Sequence, residues 1–344
     1  MNSILITGGA GYIGSHTCKA LAQAGYQPVT LDNLSRGHRW AVKWGPLEVG
    51  DIADEACVLR VVEQYAPQAV IHFAGYGYVG ESMLEPELYY SNNVTGTHCL
   101  LKALVKAGLK KLIFSSSCAT YGIAPDRPIT EDVPQQPMST YGLSKLIVER
   151  MLADYQRAYG FRSISLRYFN AAGADPDGEI GEEHDPEPHI IPSVLKAAAG
   201  ETDGITINGE DYPTPDGSCV RDFIHVTDLA DAHVRALKLL LSGAGHRAAY
   251  NLGNGRGYSL KTIAQVVRKV TGREFPVRMG PRREGDPPFA VGDASLAGRE
   301  LDWRPLIQDI REIVASAWRW MEIHRSRVRS GPTKPIVLLT HDGQ

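Results

Sequence analysis

The sequence lacks the features of a membrane, disulfide-linked or nucleic-acid-binding protein. Its 344 residues contain no apolar run near the roughly 20 residues that a membrane-spanning helix needs. The five cysteines are scattered, odd in number and without CxxC spacing, which is typical of reduced thiols. The net charge is −3, so no basic surplus indicates a nucleic-acid partner. Because a strand-like run begins at Ile4, we expect no signal peptide and a cytoplasmic protein.

Metal-ligand patterns are also scarce. His184, His189 and His225 are the histidines that draw attention, but their spacing matches no zinc motif. No carboxylate partners for them are evident in the sequence. We therefore predict that the protein binds no metal.

A glycine-rich junction lies near the N-terminus. The apolar run at 4–7 is typical of a buried parallel strand, and it leads through Gly8, Gly11 and Gly14 into a helical stretch at 15–24. Without side chains at those positions, the backbone can turn tightly and approach a pyrophosphate at the helix N-terminus. A turn that binds nothing is the alternative, but placement at the first strand–helix junction favours dinucleotide binding.

An acidic residue ends the second predicted strand. Asp32 follows the run 28–31, about 20 residues beyond the glycines. An acid there hydrogen-bonds the adenosine ribose and repels a 2′-phosphate, which favours NAD over NADP. Arg36 is close enough to leave NADP open. Asp51 and Ile52 suit the adenine edge, although a turn aspartate is the alternative reading.

Strands and helices alternate over the first half of the chain. This order predicts an α/β fold with a Rossmann-type, doubly wound parallel sheet. Ligands bind at the carboxyl ends of such strands, so the serines at 115–117, after the fifth strand, mark where chemistry would occur. We predict a dinucleotide-binding domain at 1–170 with a return segment near 220–255, a smaller α/β substrate-binding domain at 171–325, and a mobile tail at 326–344.

A tyrosine and a lysine stand four residues apart in a long helical pattern. Tyr141 and Lys145 would share one face of that helix, roughly 6 Å apart. A phenol with a pKa near 10 is a poor base at neutral pH, and a neighbouring ammonium favours its ionised form. The pair is therefore a candidate proton-transfer device. By itself the spacing is weak evidence, because a packed ring beside a solvated amine has the same pattern.

These features together resemble the extended short-chain dehydrogenase/reductase family. Further segments resemble its UDP-sugar 4-epimerases: 7–16 (TGGAGYIGSH), 31–34 (LDNL), 79–82 (VGES), 167–170 (RYFN), 211–214 (DYPT), 220–226 (VRDFIHV) and 281–286 (PRREGD). The resemblance extends from about residue 2 to residue 322. It implies NAD-dependent, reversible 4-epimerisation of UDP-hexoses such as UDP-galactose and UDP-glucose, through a 4-keto intermediate.

The resemblance also separates sister enzymes. Related nucleotide-sugar dehydratases carry Asp and Glu at the two positions after the active-site serine or threonine, and decarboxylating relatives keep the glutamate. Here those positions are Cys118 and Ala119. Neither can act as the general acid or base of an elimination, which favours epimerisation.

The family's functional residues map onto this chain one by one. The catalytic residues implied are Ser117, Tyr141 and Lys145. The implied NAD-binding residues are Gly8, Gly11, Tyr12, Ile13, Gly14, Asp32, Asn33, Asp51, Ile52, Phe73, Ala74, Gly75, Asn92, Ser115, Tyr141, Lys145 and Tyr168. The implied UDP-sugar-binding residues are Ser117, Asn170, Asn208, Arg221, Arg283, Asp286 and Ala290, with the two arginines on the diphosphate and Asp286 on the uridine ribose.

Three positions depart from the common family pattern. The run 75–78 lacks a lysine that often contacts the cofactor, as it does in relatives that act on UDP-pentoses. Asn208 stands where an apolar or aromatic residue commonly faces the uracil. Ala290 occupies the position whose bulk limits the space at the sugar C2 substituent, so we hypothesise that UDP-N-acetylhexosamines are admitted.

Three other functions remain open from the sequence. A UDP-xylose/UDP-arabinose 4-epimerase would use the same residues. A net NAD-dependent dehydrogenase would need free exchange of cofactor. A non-catalytic NAD-binding regulator would keep the glycine loop, but intact Ser117, Tyr141 and Lys145 disfavour it.

The family resemblance also implies a homodimer. Helices predicted near 87–107 and 141–159 resemble those that form the family's four-helix dimer interface. Simple core packing of these helices in a monomer is the alternative.

Overall fold

A seven-stranded parallel sheet forms the centre of the larger lobe. The computed structural model describes residues 2–123 and 127–330, the last four as backbone only. The sheet order is β10-β6-β5-β4-β1-β2-β3. Its strands are β1 (Asn2–Thr7), β2 (Tyr26–Asp32), β3 (Leu47–Val49), β4 (Val70–His72), β5 (Lys111–Ser117), β6 (Arg162–Tyr168) and β10 (Ala249–Leu252). The order reverses between β1 and β4, and this is the switch point at which ligands bind in such sheets. The predicted α/β, doubly wound fold is confirmed.

Helices cover both faces of this sheet. They are α1 (Tyr12–Gln23), α2 (Glu55–Tyr65), α3 (Val79–Leu84), α4 (Pro86–Tyr89), α5 (Thr97–Lys106), α6 (Thr140–Tyr159) and α8 (Val226–Ser242). Alternate residues of β1 serve opposite faces, because Ile4 and Ile6 pack with α1 and α8 whereas Leu5 packs with α2, α5 and α6. Burial on both faces explains why the strands read as continuous apolar runs.

The smaller lobe combines short strands with three further helices. Strands β7 (Asn170–Ala172), β9 (Val220–His225), β11 (Gly257–Ser259) and β13 (Phe289–Ala290) form one sheet, and β8 (Ile205–Asn208) pairs with β12 (Val277–Gly280). Helices α7 (Ile190–Ala198), α9 (Leu260–Thr271) and α11 (Ile310–Ser330) pack around a core that includes Val194, Phe223 and Val314. A further short helix, α10 (Ser295–Glu300), packs on β10 and belongs to the core of the larger sheet. Because β10 pairs with β6, the chain returns to the large sheet after β9.

Some local features differ from the sequence-based expectation. The helix predicted near 87–107 is interrupted by a π-helical stretch, Tyr90–Gly96, between α4 and α5. The strands β7 and β8, in the first part of the smaller lobe, are too short to leave an alternating pattern in the sequence. Most of the predicted tail, 331–344, lies outside the described residues. Within those residues, no helix is long and apolar enough to cross a membrane.

Candidate active site

The carboxyl ends of the central strands open into a cavity of about 550 Å³. The smaller lobe closes its other side with β7, β9 and β13. Almost all predicted site residues line this cavity: Gly8, Gly11, Tyr12, Ile13, Gly14, Asp32, Asn33, Ile52, Phe73, Ala74, Gly75, Asn92, Ser115, Ser117, Tyr141, Lys145, Tyr168, Asn170, Arg221, Arg283, Asp286 and Ala290. The fold thus brings together residues that are up to 282 positions apart in the chain, counting from Gly8 to Ala290.

Two predicted site residues do not line it. Asp51 accepts a 2.8 Å hydrogen bond from Asn33 Nδ2, so it supports a lining residue. Asn208 ends β8 and pairs with Gly280 of β12, at the edge of the smaller lobe.

The glycine loop has the close packing that a dinucleotide cradle requires. A Cβ on Gly14 would lie 2.3 Å from the carbonyl oxygen of Gly8, and a Cβ on Gly8 would lie 2.5 Å from the backbone nitrogen of Ala74. Gly8 also has a φ of +74°, a conformation that side chains disfavour. Helix α1 begins after Gly11 without a side-chain cap, so its first amide groups are available to an anion.

Asp32 is fixed in position at the end of β2. Its carboxylate accepts backbone hydrogen bonds from Ala10 (3.0 Å) and Leu34 (2.8 Å), and the residue is buried. The nearby Arg36, which left NADP open, donates to Glu81 at 2.6 Å. Arg36 is thus drawn towards Glu81 through one guanidinium nitrogen, and the Asp32 carboxylate would repel a 2′-phosphate, so the geometry fits NAD.

Tyr141 and Lys145 lie on α6, whose first turn is capped by the Ser139 hydroxyl. The Lys145 ammonium is 5.8 Å from the centroid of the Tyr141 ring, and it donates a 2.9 Å hydrogen bond to the carbonyl oxygen of Ser115. Ser117, at the end of β5, hydrogen-bonds the Tyr141 hydroxyl. Strand β5 and helix α6 therefore place the three predicted catalytic side chains against one another.

Burial changes the electrostatics that the sequence suggested. It raises the pKa of Tyr141 to about 12, which the hydrogen bond with Ser117 offsets only in part. Burial also lowers the pKa of Lys145 to about 8. Burial therefore opposes ionisation of the phenol, in the direction opposite to the effect expected of the Lys145 ammonium, and the role of Lys145 in ionising Tyr141 stays a prediction.

On the opposite wall, two arginines converge on one carboxylate. Arg283 makes a two-pronged ion pair with Asp286 (2.9 and 3.1 Å), and the Arg221 guanidinium is 3.7 Å from the same carboxylate. The side chains of Arg221 and Asp286 are largely buried, with 12% exposure each. A guanidinium pair of this kind fits a diphosphate.

Neither of the two residues that follow Ser117 is an acid. Cys118 and Ala119 both line the cavity. Burial raises the pKa of the Cys118 thiol to about 12, so it stays protonated and uncharged at neutral pH. Ala290 lies across the cavity on β13, where it pairs with Arg221 of β9.

Several parts of the cavity wall were not among the predicted site residues, and one of them carries titratable side chains. Residues Glu182, His184 and His189, in the connection between β7 and α7, line the cavity. The histidines were noticed in the sequence, but the loop conformation that joins them to carboxylates has no local pattern.

Comparison with known proteins agrees with this geometry. Residues 4–253 match the model of the NAD dependent epimerase/dehydratase family. The chain is 49% identical over 330 residues to the UDP-glucose 4-epimerase of Rhizobium meliloti (strain 1021), covering 96% of this chain and 99% of that protein. The structure of UDP-glucose 4-epimerase from Brucella ovis in complex with NAD is 52% identical and superposes with a TM-score of 0.89, covering 93% of this chain and 98% of the other. The structure from Bifidobacterium longum in complex with NAD+ and UDP is 38% identical, with a TM-score of 0.90 and coverage of 94% and 99%. The chain therefore belongs to the NAD dependent epimerase/dehydratase family.

Proposed function

We propose that the protein catalyses the NAD-dependent 4-epimerisation of UDP-hexoses and interconverts UDP-galactose and UDP-glucose. The observation that carries this proposal is the meeting of Ser117, Tyr141 and Lys145 beside the glycine loop, with no acid at the two positions after Ser117. The proteins named above that it resembles over nearly their full length are UDP-glucose 4-epimerases.

The residues around the glycine loop fit NAD. The uncapped start of α1 would hold the pyrophosphate, Asp32 the adenosine ribose and Lys145 the nicotinamide ribose. When bound, NAD supplies the hydride acceptor and donor for the sugar C4 and a positively charged ring. The pairing of Arg36 with Glu81 supports NAD over its 2′-phosphorylated form.

Tyr141 would remove and return the proton of the sugar 4-hydroxyl. Its high pKa without ligands means that it starts as a phenol, so it needs added positive charge to act as a base. Lys145 supplies one such charge, because a pKa near 8 leaves most of its population protonated at pH 7. Ser117, hydrogen-bonded to Tyr141, would hold the hydroxyl and relay its proton.

The UDP moiety would bind against the smaller lobe. Arg221 and Arg283 would take the diphosphate, Asp286 the uridine ribose, and Asn170 would contact the diphosphate region. In the protein without ligands, Asp286 keeps both guanidinium groups at the cavity wall. Binding of UDP would exchange that carboxylate for phosphate oxygens.

Product analysis without added NAD tests the proposal. The purified protein is incubated with UDP-galactose and the nucleotide sugars are separated by chromatography. Conversion to UDP-glucose, lost in Tyr141→Phe, supports epimerisation with retained cofactor. Accumulation of NADH when NAD is added would indicate a dehydrogenase instead. If UDP-galactose is not converted with or without added NAD, a non-catalytic NAD-binding regulator would be the remaining function.

We further propose that the small side chain of Ala290 admits N-acetylhexosamines. Tyrosine at this buried cavity position would fill the space beside Arg221. Ala290→Tyr is expected to lose turnover of UDP-N-acetylgalactosamine by at least 100-fold while UDP-galactose turnover changes less than tenfold. Ala290→Ser, of nearly unchanged size, is the matched control. Equal turnover of both substrates by the tyrosine variant would refute the idea, and conversion of UDP-xylose by the wild type would support the pentose alternative.

We also propose a homodimer formed through the helical stretch 86–106 and α6. Tyr90, Leu143 and Tyr159 on these helices are exposed by 36–49%, which leaves apolar surface for a partner. Light scattering should give twice the chain mass of 37.5 kDa, and Leu143→Glu should halve it. A wild type at the mass of one chain at micromolar concentration would exclude this dimer.

A cytoplasmic location is proposed as well. The five cysteines are free thiols in the described structure, which suits a reducing compartment. Cell fractionation would test it.

A further inference from the structure

Two histidines and two glutamates converge on the wall of the cavity. His189 Nδ1 lies 2.6 Å from Glu182 Oε1 and 3.7 Å from Glu187 Oε1. His184 Nδ1 lies 3.5 Å from each of those same two oxygens. Each of the four residues thus offers one possible metal-ligand atom, and these four atoms all lie within 4.8 Å of one another.

The polar atoms of this cluster are not satisfied by the protein alone. The Glu187 side chain is only 5% exposed, yet its Oε2 has no hydrogen-bond partner. His184 Nδ1 is likewise buried without one. Buried polar atoms without partners cost free energy, and in native structures the large majority of buried polar atoms have a hydrogen-bond or ion partner. The unpaired oxygen of Glu187 and the unpaired nitrogen of His184 indicate that this cluster binds a positively charged ligand.

We propose that Glu182, His184, Glu187 and His189 form a binding site for a divalent metal ion of the zinc class. Tetrahedral zinc with bonds of about 2.0–2.1 Å holds its ligand atoms about 3.3 Å apart. Three of the four nitrogen–oxygen distances, 3.5, 3.5 and 3.7 Å, are close to that spacing. The fourth, 2.6 Å between His189 Nδ1 and Glu182 Oε1, is a hydrogen bond that metal binding would replace. Imidazole nitrogens favour zinc, cobalt or nickel over calcium or magnesium, which prefer oxygen ligands.

The second acidic cluster of the chain offers a contrast. Asp175, Asp177 and Glu179 also lie within ligand distance of one another. Their centre is occupied by Lys19, whose Nζ is 2.7–2.9 Å from all three carboxylates. The Lys19 ammonium already fills the position that a cation would take, so no metal ion is expected there.

The proposed metal would be a structural one. Four protein ligands close a tetrahedral site, so no position is left for substrate or water. All four ligands belong to the connection that enters α7, and His184 and His189 both pack edge-on against the ring of Tyr78, another cavity residue. A bound ion would fix this wall of the cavity and would take no part in the chemistry at Tyr141.

Metal binding by the purified full-length protein tests this proposal. After incubation with Co²⁺ and desalting, the wild type should retain about one ion per chain and show the visible absorption of tetrahedral cobalt, which Zn²⁺ abolishes. Glu187→Gln removes one charged ligand with little change of shape and should bind at least about 100-fold more weakly. Asp177→Asn, in the cluster centred on Lys19, is the matched control and should bind like the wild type.

Several results would overturn the proposal. The first is that the wild type retains no cobalt after desalting. The second is that the bound cobalt has the absorption spectrum of octahedral coordination. The third is that Glu187→Gln binds cobalt as tightly as the wild type. If Glu187→Gln does not fold, His184→Gln serves as the second variant, and unchanged binding there has the same meaning. A further test uses the wild type alone: bound Zn²⁺ should protect His184 and His189 from chemical acylation. Equal modification of the two histidines with and without Zn²⁺ would also refute the site.

Discussion

Replacing Lys145 by methionine tests how the buried tyrosine becomes a base. With a pKa near 12, only about one Tyr141 in ten thousand is ionised at pH 8 in the protein without ligands. The Lys145 ammonium lies 5.8 Å from the centre of the phenol ring. At an effective dielectric constant of about 20, a unit charge near 6 Å contributes about 3 kcal/mol of attraction to a phenolate. This is a factor of about 100 in the phenolate population.

Lys145→Met should therefore lower kcat/KM for UDP-galactose by about 100-fold at pH 7. The loss should also depend on pH, because kcat/KM follows the ionisation of the free enzyme. Burial lowers the pKa of Lys145 to about 8, so the wild type has its ammonium below that pH and loses it above. The ratio of wild-type to variant kcat/KM should accordingly be greatest below pH 8 and decrease as the pH rises through 8 to 9.

The assay is chromatographic quantification of UDP-glucose formed from UDP-galactose between pH 6.5 and 9.5, with the bound NAD content of each protein measured. Lys102→Met, which removes an exposed lysine of α5, is the control for a general charge effect. A ratio near one at pH 7 would refute the electrostatic role. A large ratio that stays constant with pH would show that Lys145 acts only by positioning its ligand.

Three further changes have expected outcomes from packing and hydrogen bonding. Gly14→Ala should weaken NAD retention by about 10- to 100-fold, because the new Cβ would lie 2.3 Å from a backbone oxygen of the glycine loop. The control Gly245→Ala, in open space, should retain NAD like the wild type. Equal retention by the two variants would contradict the role of the glycine loop in binding NAD. Arg167→Met should lower the free energy of unfolding by about 3–5 kcal/mol in denaturant titrations, because the buried Glu149 carboxylate would lose the guanidinium that binds both of its oxygens. A loss below about 1 kcal/mol would show that solvent reaches Glu149. Asp222→Asn should lower the free energy of unfolding by about 1–3 kcal/mol in the same titrations. The Asp222 carboxylate accepts three backbone hydrogen bonds, and an amide cannot accept all of them. A stability equal to that of the wild type would mean that the three N–H donors find other acceptors.

Local patterns in the sequence predicted the sheet and the cofactor, and the family resemblance implied the catalytic trio, which stays a prediction. Strand runs such as 4–7, the glycine spacing and the Tyr141–Lys145 spacing are local signals, because each depends on residues within one strand, turn or helix. The doubly wound fold and NAD were predicted from them, and the fold, the family and its NAD-bound relatives confirm both.

The electrostatics of the site depend on how the folded chain packs and could not be derived from the sequence. The pKa of Tyr141 depends on how completely neighbouring elements exclude water, which no spacing in the sequence encodes. The convergence of Arg221 and Arg283 on Asp286 joins residues from β9 and from the loop before β13.

The remaining differences have the same physical origin. The family resemblance implied that Asn208 faces the uracil, but Asn208 pairs with Gly280 of β12 and does not line the cavity. The four residues of the proposed metal site are close in sequence, yet an irregular loop has no periodicity from which their convergence could be read. Local sequence fixes local conformation, whereas burial and the meeting of distant or irregular segments arise only when the two lobes pack together.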